Sequence, residues 1–181
     1  MNVLDVLLGF NWMTIATVAT AIFAAVAAVG AVCAARATRT AAEAQILLDL
    51  LKDYATQDMS DALRTLRGWY AKDRKGFAAR WKADLTDRIP VAIAVDHARR
   101  RVTSYFLNVD RLHRAKLISR DTWRAAVDKD GLAVLLVVGQ ELERRLNPKV
   151  DLSFVERLRK LCPERTELFE EIPTGEMETL K

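Results

Sequence analysis

The chain has 181 residues, with 28 Lys or Arg against 24 Asp or Glu, a formal net charge of +4. That length suffices for one domain with a real core plus an accessory segment. Two cysteines, Cys33 and Cys162, exclude a disulfide framework and read as ordinary thiols in a reducing compartment. Mean hydropathy is near zero because two compositions are joined: before Arg36 the only charged side chain is Asp5, and beyond it charges are dense.

Residues 6–35 carry no charge at all. The densest part, residues 13–35, gives about 35 Å of helix at roughly 1.5 Å per residue, enough to cross a hydrocarbon core of about 30 Å. A lone span must be helical, since lipid offers the backbone no hydrogen-bond partner. Ile15, Val18, Ile22, Phe23, Val26, Val29 and Val32 supply most of the transfer energy, and Trp12 suits the headgroup level. A cleaved signal peptide wants a basic segment that residues 2–12 lack. A lipoprotein site wants a small residue before Cys33, where Val32 stands. The expectation is therefore one transmembrane helix over 12–35, after a short extracytoplasmic or interfacial N-terminus at 1–11. Arg36 and Arg39 follow the span, so the positive-inside rule puts the N-terminus outside and the rest in the cytoplasm. Small residues at Ala24 and Ala28, within an Ala16-Thr20-Ala24-Ala28 stripe, would permit helix–helix approach in lipid.

Residues 37–56 read as a helix continuing the span, with Ala41, Ala44, Leu48, Leu51 and Ala55 as a seam packed on its own domain. Ser60 is expected to cap a helix over about 60–73 that turns Leu63, Leu66, Trp69 and Tyr70 inward. A polar, basic stretch punctuated by Gly76 follows. Pro90 opens a long helix to about 116, with Val91, Val95, Ala98, Val102, Tyr105 or Phe106, Val109 and Leu112 inward. Asp96–Arg100 and Asp110–Arg114 are taken as i,i+4 pairs of its exposed face. Ser119 caps a short helix with Trp123 facing in. The apolar start of 131–146 fits a buried strand by periodicity, but its continuation has helical spacing and marks a core helix. Ser153 and Glu156 form a capping box for a last helix ending near Leu161. Residues 162–181 form an acidic, flexible tail or one that docks on basic surface. The fold expected is all-α: one span, then a cytoplasmic bundle of about five to six helices over 36–161.

The segment from Arg99 to Val127 (RRRVTSYFLNVDRLHRAKLISRDTWRAAV), followed by QELERRLNP and FVERLRKL, resembles a family of uncharacterised bacterial proteins known as a domain of unknown function. The resemblance covers roughly residues 12–161. It implies a helical domain anchored at the bacterial inner membrane and carries no catalytic residue.

His97 and His113, the only histidines, are about 24 Å apart along one helix, too far to share a metal. His97 reads as a surface residue and His113 as a helix-margin one. No phosphate loop, nucleophile elbow or zinc-protease motif occurs. Asp96, Asp110, Glu141 and Glu143 read as solvated helix faces, so neither an enzyme nor a cofactor is expected. Residues 36–161 hold 26 basic and 17 acidic side chains. Arg64, Arg67, Lys72, Arg74, Lys75, Arg80 and Lys82 lie among Trp69, Tyr70, Phe77 and Trp81, which reads first as a charged cytoplasmic surface over aromatics in the core, next as a contact for anionic headgroups and last as one for nucleic acid. The function expected is a membrane-anchored scaffold or regulatory module, with Leu48 and Leu51 among its contacts to a second copy or another membrane component. A basic surface domain acting in stress or phage response is the alternative.

Overall fold

The computed structural model describes residues 3–161, with side chains from 14 to 160, and every element among these is helical. The chain divides into two compact units, Met1–Ala42 and Glu43–Lys181. The acidic tail and Cys162 lie outside the described residues.

The first unit is the leading part of helix α1 (Val3–Tyr54). Its sequence has good helix formers, and its threonines return their hydroxyls to the backbone one turn back: Thr20 Oγ1 donates to the Ala16 carbonyl at 2.8 Å and Thr38 Oγ1 to that of Ala34 at 3.0 Å. Ile15, Val18, Ile22, Phe23, Val26, Val29 and Val32 are all exposed, as are Ala24 and Ala28.

The second unit opens with the last turns of α1. Its core helix is α4 (Pro90–Arg114), where Ala92, Val95, Ala98, Val102, Tyr105, Phe106 and Val109 are buried at three- and four-residue spacing. Helix α2 (Gln57–Lys72) packs along it through Met59, Ala62, Leu63, Leu66 and Trp69. Its N-cap is Thr56, whose hydroxyl accepts from Met59 N, so the helix starts three residues before the expected Ser60. Thr56 wins because its backbone is extended at the turn out of α1, while Ser60 is already in helical register.

The basic stretch after Gly76 is also helical, as α3 (Phe77–Thr86), and inserts Phe77, Ala78 and Trp81 into the core. Trp69 Nε1 donates to the Phe77 carbonyl at 3.0 Å, and Trp81 Nε1 to that of Ala92 at 3.1 Å, so both indoles bury their polar atom satisfied. Helix α4 ends at Arg114, short of the expected 116, and Val91, expected inward, is exposed. Helix α5 (Arg120–Ala126) is capped by Ser119 and buries Trp123, as the sequence indicates.

Helix α6 (Lys129–Val134), capped by Asp128, runs through a π-helical turn (Leu135–Gly139) into α7 (Gln140–Leu146). The apolar LLVVG run is thus helical with a wide turn rather than a strand. Gly139 sits in it with Leu135 Cδ1 only 3.2 Å from where a Cβ would lie. Helix α8 (Ser153–Leu161) closes the unit with Phe154, Val155 and Leu158 buried. Ser153 is not its capping side chain: Ser153 N donates to Asp151 Oδ1 at 2.8 Å, its Oγ accepts from Arg157, and Glu156 turns to Arg159.

Candidate interaction surface

Within the second unit, α1 turns Ile46, Leu47, Leu50 and Tyr54 toward the core, with Leu50 fully buried. The opposite positions, Ala41, Ala44, Leu48, Leu51 and Ala55, are exposed. The expected seam is therefore the outer face of the helix, and a face rotated from it does the packing. Both faces are apolar, so periodicity alone does not choose between them. Polar contacts do.

Glu43 accepts from Ser119 N at 2.6 Å and from the Thr122 hydroxyl, beside the N-terminus of α5. Asp53 pairs with Arg101 at 2.6 Å. Tyr54 donates to Asp128 Oδ2 at 2.7 Å, and the same oxygen accepts from Gly131 N at 2.8 Å. A Cβ on Gly131 would meet the Tyr54 hydroxyl, with ring carbons 3.1 Å away, so glycine is what lets the phenol reach its carboxylate. These contacts fix which side of α1 faces in.

Leu51 and Tyr54 also line a groove of about 410 Å³, closed on its other side by residues 125–129. The outward leucines Leu48 and Leu51 are 52% and 42% exposed, and Leu51 also lines this groove. Sequence reading named both leucines but not the groove, whose other wall lies some seventy residues on in the chain.

The basic residues named from sequence separate on folding. Arg64 pairs with Asp61 at 3.3 Å, Arg67 with Asp130 at 3.6 Å and Arg80 with Asp73 at 3.6 Å. Arg80 also stacks over Trp69, 4.6 Å from the ring centroid. Lys72, Arg74, Lys75 and Lys82 are exposed and close no ion pair among the described residues. The interleaved aromatics do not share that exposure: Trp69, Phe77 and Trp81 are buried, and Tyr70 is half-buried against Phe77.

Two carboxylates expected on a solvated face are buried instead. Asp96 holds Arg99 at 2.8 Å and Arg100 at 2.8 Å, and Arg99, itself buried, reaches Glu143 of α7 and lies 5.8 Å from the Trp81 ring. Asp110 pairs with Arg157 of α8 at 2.7 Å in a two-pronged contact, not with Arg114. That contact holds the Arg157 guanidinium above its ordinary value, the Asp110 hydrogen bond being the main cause. Paired and hydrogen-bonded, these groups join helices. Tyr105 donates to the Ala126 carbonyl at 2.7 Å, and burial, then the charges of Asp53 and Asp128, push its phenol well above the usual range. His97 is exposed, and His113 packs beside Trp123 with ring centroids 6.0 Å apart. No group of three or more His, Cys, Asp or Glu gathers among the described residues.

No family model, curated protein or solved structure matches the chain.

Proposed function

We propose that this protein is a single-pass membrane protein whose second unit is a cytoplasmic helical interaction module, a scaffold or regulatory part of a membrane assembly. One observation carries the reading: an apolar stretch of α1 long enough to cross a bilayer has none of its length buried. A core helix of that hydropathy would be covered by its own fold. Seven large aliphatic or aromatic side chains between Ile15 and Val32 are more than half exposed, which in water is an unfavourable patch and in lipid is not. Arg36 and Arg39 at its end favour a cytoplasmic second unit.

The strip of Leu48, Leu51 and the adjoining groove is the contact surface proposed for the partner helix, from a second copy or another membrane component. Ala24 and Ala28 offer the matching close approach within lipid. A nucleic-acid role finds less support, because the aromatic rings that would stack on bases are in the core.

Fractionation of cells expressing the full chain tests the anchor. The protein is expected in the membrane pellet after alkaline washing, released by mild detergent, with an intact mass that retains residues 1–35. Recovery in the soluble fraction, or loss of that segment by cleavage, overturns the anchor. For the surface, Leu48→Glu with Leu51→Glu is expected to abolish copurification of the partner while leaving helicity unchanged.

A further inference from the structure

Two non-glycine residues adopt left-handed backbone among the described residues, Arg88 (φ 56°) and Lys116 (φ 59°). Lys116 ends α4 in a turn that glycine usually fills: its N–H donates to the His113 carbonyl at 2.9 Å, and Leu117 N donates to that of Leu112 at 3.1 Å. The turn projects Leu117, 53% exposed. Around it Arg111, Arg114, Lys116 and Arg120 are all exposed, and none closes an ion pair among the described residues. Asp121 is the one carboxylate within 111–124; Asp151, nearby, feels the charge of Arg114. An exposed leucine with four exposed cations within six residues of it along the chain is the chemistry of a surface that meets both headgroups and acyl chains.

The fold then says which end of the second unit this is. Glu43 touches Ser119, Asp53 pairs with Arg101 and Trp81 bonds to Ala92, so α1 runs antiparallel to α4 and α3 sits at the far end of that helix. Lys82, one residue beyond Trp81, therefore lies roughly the length of α4, about 36 Å, from the Glu43 end. The Leu117 turn lies next to Glu43. Glu43 stands only eight positions after Ala35, the last residue of the uncharged run. Even fully extended, that connection reaches no more than about 28 Å.

We infer that the α4–α5 turn, Leu117 with Arg114, Lys116 and Arg120, docks on an anionic lipid bilayer. The inference rests on the reading of residues 12–35 as a span and names the lipid chemistry that the tethered unit meets. Docking places the leucine among acyl chains and the three cations at phosphate level, leaving Lys82 in solvent.

The test uses the full chain in lipid nanodiscs, with Cys33→Ser and Cys162→Ser, and an environment-sensitive fluorophore at Ala115→Cys or, as a reference, at Ala83→Cys. Spin-labelled lipid quenches whatever sits at the headgroup. In discs containing an anionic lipid, quenching at 115 is expected to exceed that at 83 and to fall in high salt and in zwitterionic discs. Each of Arg114→Gln, Lys116→Gln and Arg120→Gln is expected to lower the docked-to-undocked ratio about fivefold. Equal quenching at the two positions, or quenching at 115 indifferent to salt and lipid charge, overturns the docking while leaving the span intact. The salt and lipid arms need none of the charge substitutions. A chain that never copurifies with the discs overturns the span itself, and the docking with it.

Discussion

Asp110 is 1% exposed and its guanidinium partner, Arg157, lies 47 residues away on α8. Sequence spacing paired this aspartate with Arg114 because a four-residue helical neighbour is visible in a linear chain and a tertiary one is not. The same limit hid Glu143 from Arg99. Removing Arg157 leaves a buried carboxylate unmatched. Because the arginine is itself 36% exposed, the loss is discounted from that of a fully buried pair. Arg157→Ala is expected to destabilise the second unit by about 2–3 kcal/mol, and chemical denaturation that shows less than about 0.5 kcal/mol would refute the clamp. Asp151 gives a pH signature. The Ser153 N–H bond holds its carboxyl below the ordinary value near 3.8. A depressed folded value means its contribution is present above that pH and is lost as pH falls through the lower folded value. Asp151→Asn keeps an acceptor but cannot titrate, so its stability should fall less steeply with acid below about pH 4. An unchanged acid slope would show that Asp151 does not carry it.

Helix α3 shows what composition conceals. Phe77, Trp81 and Leu85 recur every four residues, a helical signal, but the surrounding Lys and Arg and the single Gly76 made the segment read as a polar, basic stretch with no element assigned. The decisive fact is three-dimensional: Trp81 is fully buried and bonded to α4. Trp81→Ala is expected to cost about 3–5 kcal/mol, whereas Lys82→Ala, one position along, should stay within about 0.5 kcal/mol. Similar melting temperatures for the two would mean α3 is not packed as described. The long apolar helices were legible, since α4 buries a stripe that period alone predicts. The turn that ends α4 was not, because no glycine marks it. Lysine in left-handed backbone is strained, so Lys116→Gly should raise stability by about 0.5–1 kcal/mol despite the usual cost of glycine. Thermal unfolding at neutral pH measures it, and a lower melting temperature would contradict the strain.

At the scale of the molecule, the division after Ala42 cuts through one continuous helix, and the last turns of α1 belong to the second unit. Sequence reading found that continuity but chose the outer face as the packing face, because both stripes are apolar and only Glu43, Asp53 and Tyr54 break the tie. The energetic weight of the true inner face can be estimated. Leu50 is fully buried and Ile46, Leu47 and Tyr54 partly so. Burying one leucine contributes about 1.5–3 kcal/mol, and losing Tyr54 removes one of the two hydrogen bonds held by Asp128. A fragment of residues 43–161 is expected to be soluble and to unfold in one cooperative transition. A fragment of residues 57–161, lacking the α1 segment, should be less stable by about 3–5 kcal/mol. Domains of this size hold only about 5–15 kcal/mol in total, so the shorter fragment would sit close to unfolding and expose Tyr105, whose ring packs on Tyr54. Equal denaturation midpoints for the two fragments would mean that the end of α1 is a passive linker. The strip of Leu48 and Leu51 would then ride on a segment free to turn, and it could no longer serve as a fixed contact surface.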